Sequence, residues 1–282
     1  MLAKELYDHL EKDFIKPGLV DEWYKYMEEL EPFICKNFKE RDMGLVCDFA
    51  KNINHVYTAV FPSENVLQKI INNSDEAMLF VHHASNWDLK KSPVGFYLMN
   101  SDLLEQLKKK NISIYCLHSP LDNYGENSTS KTLADVLDIE IDKPFINFYG
   151  AVCGIIGRTK LKTINELQIK YSKVVGHETK LYQYGDNTIL DNKVAVCAGG
   201  GNQDFVVEEL MENNVKTLIT GITVKNEISA KVHELEEKNG INVIGGTHYS
   251  SEKFACMAMC KYFSKLGLST EFVEDNPCFE DM

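Results

Sequence analysis

The sequence predicts an α/β protein of two domains, and three observations carry that prediction. Short apolar runs alternate with amphipathic helical patterns along most of the chain, the rotation expected of mainly parallel or mixed sheets covered by helices. Several runs, AMLFV and ISIYC among them, are apolar without interruption, as strands buried on both faces are. The length, 282 residues, exceeds the size at which a single core usually stops growing.

In chain order, MLAKELYDHLEKDF is an amphipathic, acidic helix pattern without the basic head and apolar core of a signal peptide. MGLVCDFA (43–50) and HVYTAVFP (55–62), separated by polar KNIN, read as a strand pair. Ser63 followed by Glu64 opens a helix, and AMLFVHH is the next strand. SPVGFYLMNSDLLEQLKKKN (92–111) reads as a helix with Pro93 in its first turn and Lys108 to Lys110 at its end, where the helix dipole favours cations. ISIYCLHS (112–119) is a buried strand and STSKTLADVLDIE (128–140) a capped helix. A second α/β series follows: the strand NFYGAVCGIIGR, the helix KTINELQIKYSKVVG, the strand KVAVCAGGG, the helix QDFVVEELMENN and the strand KTLITG. Then come the helix NEISAKVHELEEKNG, the strand INVIGGTH, the helix SSEKFACMAMCKYFSKLG and a last strand STEFV.

Composition narrows the function classes. The formal net charge of −12 and pI near 5.2 argue against nucleic acid as the main partner, since such binding needs a basic face. The eight cysteines form no CxxC, and several sit inside apolar runs, as buried thiols do. Reduced thiols and a cytoplasmic location are expected. No stretch approaches about 20 apolar residues, so no membrane span is expected.

Four strand ends carry polar residues. His82 and His83 close AMLFV; His118 and Asp122 follow ISIYC; His248 and Glu252 follow INVI; Gly199, Gly200 and Gly201 follow KVAVCA. Adjacent side chains on a regular strand point to opposite faces, so His82 and His83 can share a target only where the backbone turns. His248 and Glu252, four residues apart at a helix opening, lie on one face. His118 and Asp122 share that interval, but Pro120 favours a loop there. Imidazole and carboxylate donors without nearby thiolate suit Zn, Fe or Mn. Five or six such donors exceed what one catalytic ion usually takes from protein, so two ions bridged by a carboxylate such as Glu252 fit better. The glycine turn offers either an anion site at a helix start or a tight turn that lets helix and strand pack. His9, His55, His177 and His233 read as structural or exposed, Trp87 as a pocket wall or core anchor, and Cys256 and Cys260 as core.

Taken together, HH-x3-W (His82, His83, Trp87), H-x-x-LD (His118, Leu121, Asp122), GGG-x3-F, TLITG and INVIGGTHYSSE resemble the Nif-three-like proteins. These are also known as GTP cyclohydrolase I type 2 homologues and include the YbgI-like di-metal proteins. RDMGLVCDFA resembles the family's early Asn-x-Gly-Leu segment and GIIGR (154–158) its central glycine segment, so the likeness runs from about residue 40 onward. Departures are Ala84-Ser85-Asn86, where the family usually has proline after the paired histidines, and Ile222-Thr223-Val224-Lys225, where an acid and a histidine are common.

The resemblance implies two similar α/β domains, mixed sheets flanked by helices, with a di-metal site in the interdomain cleft. The first domain would take residues 1–125 plus 248–282, with a helical extension over 1–40, and the second residues 126–247. It implies His82, His83, Asp122, His248 and Glu252 as metal ligands and Glu252 as the bridge. His118 would be an outer-shell or acid/base residue, and no further cofactor-binding residue is implied. Two divalent ions (Fe, Zn or Mn) per chain, a hexameric assembly and a small-molecule substrate such as a nucleotide are the corresponding expectations. The activity implied is a metal-dependent hydrolase opening a purine ring, with His118 and Glu252 catalytic. The rival is a protein that stores, delivers or senses a divalent metal without turnover.

Overall fold

A computed structural model describes residues 1–91 and 95–282. Two compact units emerge, the first made of residues 1–121, 149–151 and 256–276, the second of residues 122–148, 152–255 and 277–282. Both are sheets flanked by helices.

In the first unit, helices α1 (Ala3–Phe14) and α2 (Lys36–Arg41) precede strands β1 (Gly44–Cys47) and β2 (His55–Ala59). Helix α3 (Glu64–Asn73), strand β3 (Ala77–Val81), the short pair β4 (Asn86–Trp87) and β5 (Phe96–Tyr97), helix α4 (Ser101–Lys109) and strand β6 (Ile112–Cys116) follow. Helix α5 (Ser119–Asp122) closes that run. Ser63 caps α3 by accepting the Val66 N–H, as its position before the apolar periodicity predicts.

The second series comprises α6 (Thr129–Val136), β7 (Glu140–Phe148), β8 (Ala151–Arg158), α7 (Ile164–Val175), β9 (Lys180–Tyr182) and β10 (Lys193–Cys197). After it come α8 (Asp204–Glu212), β11 (Thr217–Thr220), α9 (Ala230–Asn239), β12 (Asn242–Gly245), α10 (His248–Lys265) and β13 (Ser269–Phe272).

The first sheet has the order β1-β6-β3-β2-β13. Its β6, β3, β2 and β13 run parallel, and β1 is antiparallel on the edge. Alternation along the strands divides its two faces. Leu79, Val81, Ile112 and Ile114 pack with Leu67, Ile70 and Leu104 of α3 and α4. Phe80 turns the other way and meets Phe263 of α10, ring to ring at 5.6 Å. The second sheet has the order β7-β8-β10-β11-β12-β9, with β10, β11 and β12 parallel. Val194, Val196, Ile219 and Ile244 face α6 and α7, while Ala195, Leu218 and Val243 face α8 and α9. Burial on both faces is why these strands read as unbroken apolar runs.

Four expectations are corrected. β1 and β2 are both strands but not neighbours: β1 pairs with β6 and β2 with β3 and β13. The helix expected over 92–111 starts at Ser101, capped by Asn100, whose side chain accepts from Asp102 and Leu103 N–H. Residues 92–94 of that segment, with Pro93, lie outside the described residues, and Phe96 and Tyr97 belong to β5. NFYGAVCGIIGR is the end of one strand, a turn and the next strand. Tyr149 and Gly150 both take positive φ, as a two-residue hairpin turn requires. Finally, the segment after β6 is a helical turn, α5, because Pro120 falls in its first turn, where no N–H is needed.

Candidate metal-binding sites

In the first unit the site grows out of three parallel strand ends. The register aligns Ala59 with Val81 and Val81 with Cys116, so the residues after each strand emerge side by side. Backbone pairing continues past the strands: His82 N–H donates to Ala59 O, His83 N–H to Val60 O and Leu117 N–H to Val81 O. This pins His82-His83 beside Leu117-His118 while their backbone leaves the strand geometry. The two adjacent imidazoles therefore come together, ring centroids 4.3 Å apart, with His118 at 5.1 Å from His82 and 5.0 Å from His83. One donor nitrogen from each of the three rings lies within 4.8 Å of the others.

Two of these rings have fixed tautomers. His82 Nδ1 is 2.9 Å from the Leu117 carbonyl, which only accepts, so Nδ1 carries a hydrogen. His118 Nδ1 is 2.7 Å from Asp21 Oδ1, a carboxylate, with the same consequence. Anchoring one ring nitrogen on an oxygen is the usual support of a metal-ligating histidine. Trp23 stands edge-on to His83 and His118, with centroids at 5.6 and 5.0 Å. Phe61 stacks on His83 at 4.7 Å. Trp87 instead packs on Phe96 at 4.9 Å.

In the second unit His248 and Glu252 occupy the first turns of α10, as their spacing predicts. His248 Nε2 lies 3.3 Å from Glu252 Oε1, and both side chains are buried. The His248 N–H, orphaned at the helix start, donates to Asp281 Oδ2 at 2.8 Å. The Asp281 carbonyl accepts from Thr223 and Val224 N–H. Asp122 closes α5 and accepts from Thr129 Oγ1 at 2.6 Å. Burial, with the charges of Asp122 and Glu252, pushes the Cys197 thiol up to about 12.

The glycine turn resolves in favour of packing. Gly199 N–H donates to Ser251 Oγ and Gly201 N–H to Thr220 Oγ1, which commits them within the protein. Gly199 has φ +71°, and a Cβ there would press into the Glu252 carboxylate and stand 3.4 Å from His248 Cδ2. Its lack of a side chain makes room for this donor pair. His233 is fully buried, its Nε2 on the Thr223 carbonyl and its Nδ1 3.2 Å from Glu236.

The arrangement has the donors a metal requires: imidazoles with anchored tautomers in one unit, and a buried imidazole–carboxylate pair beside a glycine in the other. Asp21 and Trp23 escaped the sequence reading. Nothing local marks them, and they lie far along the chain from the histidines they touch. Fold and donors together define an α/β protein of mixed sheets whose strand ends carry His and Glu clusters able to hold a metal ion.

The model of the Duf34/NIF3 (NGG1p interacting factor 3) family matches residues 19–277, and the chain belongs to that family. The match starts well before residue 40 and takes in Asp21 and Trp23. A "GTP cyclohydrolase 1 type 2 homolog" of Pyrococcus horikoshii is 29% identical over 241 residues, 83% of this chain and 89% of that protein. A protein of the same name from Borreliella burgdorferi is 28% identical over 211 residues, 75% of this chain and 78% of that protein. Among solved structures, protein ybgI superposes with a TM-score of 0.76 at 19% identity, covering 98% of this chain and all of the other. Reduced HcgD from Methanocaldococcus jannaschii gives 0.62 at 22% identity, covering 90% and 98%. These structures share the fold. Among the described residues, no helix is long and apolar enough to cross a membrane.

Proposed function

We propose that this chain is a metal-dependent hydrolase acting on a purine nucleotide. His82, His83, Asp122, His248 and Glu252 would hold two divalent cations, and the chain would work as a homohexamer in the cytoplasm. The observation that carries the reading is the convergence of three strand-end imidazoles, of which His82 and His118 are anchored through Nδ1. Family membership and the name of the curated relatives support the substrate class. A bound pair of divalent cations would supply Lewis acidity and lower the pKa of water. Trp23 and Phe61 line His83 with apolar surface, which limits water around it and strengthens charge interactions there. Glu252, close beside His248, would be one of the residues holding the cations, and His118 would accept the proton released from water.

The test is to load the full chain with Fe, Mn or Zn and screen nucleotides and phosphoesters for hydrolysis, with His83→Ala as control. Turnover that needs a metal and is lost in His83→Ala supports the hydrolase. Turnover surviving the substitution overturns it. Two tightly held metal equivalents without turnover on any nucleotide, and transfer of that metal to a recipient apo-protein, would instead favour a metal-carrying role.

A further inference from the structure

We infer that one proton shared by His233 and Glu236 latches the segment Pro277–Met282 onto the second unit, making that segment a pH-sensitive strap across the start of α10. The inference stands apart from the metal-binding reading and does not depend on it.

The latch is a line of hydrogen bonds through a single peptide group. His233, on α9, is fully buried, and its Nε2 lies 3.1 Å from the Thr223 carbonyl. A carbonyl only accepts, so Nε2 carries a hydrogen in this structure. The N–H of the same peptide group, that of Val224, donates to the Asp281 carbonyl at 2.8 Å, beside the Thr223 N–H at 2.7 Å. Hydrogen bonds in line polarise one another, so the donor on His233 strengthens the hold on Asp281. Asp281 Oδ2 accepts the His248 N–H, and Phe279 stands edge-on to His177 at 5.3 Å. The strap thus crosses the first turn of α10.

On the other side of the ring, Nδ1 faces Glu236 Oε2 at 3.2 Å and the Tyr184 hydroxyl at 3.0 Å. Glu236 is fully buried as well, and among the described residues no other donor reaches its carboxyl. The hydrogens can be counted. With the shared proton present, one hydrogen sits on Nε2 and one between Nδ1 and Glu236, so each acceptor meets a donor. With the proton gone, the imidazole has a single hydrogen for two acceptors. A bare buried carboxylate is the costlier one to leave unpaired, so the hydrogen moves to Nδ1. Nε2 then turns a lone pair on the Thr223 carbonyl, and the latch opens.

The direction with pH follows from the surroundings. Burial holds the Glu236 carboxyl above its ordinary value, against the pull of His233 and then of Lys225. Lys225 stands over the Tyr184 ring at 5.9 Å, the Tyr182 ring lies 4.7 Å from His233, and Glu237 acts on Tyr184 from α9. The folded chain therefore keeps the proton past the ordinary carboxylate range and loses it as pH rises further. The strap is closed below that transition and released above it.

Amide hydrogen exchange of the full chain, corrected for intrinsic rates, tests this at about pH 6 and about pH 9. In wild type the protection of the Thr223 and Val224 N–H groups should fall about 5–10-fold between the two, the worth of one hydrogen bond. Val243 and Ile244 in β12 should keep theirs. Glu236→Gln, whose amide gives Nδ1 a permanent donor, should hold the Thr223 and Val224 protection at both values, and His233→Phe should lack it at both. Nitrogen chemical shifts of the His233 ring in wild type need no variant: the hydrogen should pass from Nε2 to Nδ1 over the same interval. Wild-type protection that is flat with pH, a Glu236→Gln chain that loses it in parallel with wild type, or an Nε2 that keeps its hydrogen throughout would each overturn the latch.

Discussion

The two donor sets solve one problem by different means. In the first unit, imidazoles sit on parallel strand ends, where the β2–β3–β6 register decides who meets whom and carbonyl or carboxylate partners decide which nitrogen faces outward. In the second, a histidine and a glutamate share one helix turn, so their meeting is local. What that pair requires from the rest of the unit is space, given by Gly199, and a capped helix start, given by Asp281. Orientation is the scarce resource at strand ends, and room is the scarce resource at the helix start.

Substitutions that strike one set and spare the other test this contrast. The largest effect is expected for His83→Ala, which removes a donor from the strand-end cluster. Metal content of the purified protein should fall by at least one equivalent, read by elemental analysis, with the thermal transition retained. Next is Gly199→Ala. Moving an L residue to φ +71° costs about 1–2 kcal/mol, and the new Cβ displaces the Glu252 carboxylate. A lower Tm with loss of one equivalent is expected, while the strand-end ion persists. Asp281→Ala leaves the His248 N–H without its carboxylate and should cost about 1 kcal/mol in denaturant unfolding.

The smallest effect is a pH slope away from both donor sets. Burial raises the Glu236 carboxyl above its ordinary value, against the pull of His233. The folded chain thus holds this proton more tightly than the unfolded chain, and stability falls as pH rises through the interval above the ordinary carboxylate value. Glu236→Gln removes the titration, so its Tm relative to wild type should be higher at about pH 8 than at about pH 4. Equal differences at both values would show that the buried acid contributes no slope.

Much of the second donor set was legible in the sequence because it is local. A His-x3-Glu at the mouth of an apolar strand fixes its own geometry, and α10 begins at His248. The strand ends were legible one at a time, since uninterrupted burial of AMLFV and ISIYC marks them as central. Their order in the sheet was not. β1 pairs with β6 across more than sixty residues of chain, and nothing in either segment names its partner. The β7–β8 turn was hidden because EIDKPFINF is half exposed, and its charges break the two-residue alternation. Asp21 was least legible of all: a single acid in a polar stretch, ninety-seven positions from the imidazole it orients.

X-ray absorption at the metal edge of the protein loaded with zinc addresses the central claim most directly. The account predicts two zinc ions per chain surrounded by light nitrogen and oxygen neighbours, with the outer-shell scattering pattern of imidazole. Sulfur at the bonding distance of a thiolate, about 2.3 Å, or zinc without imidazole neighbours, would contradict it.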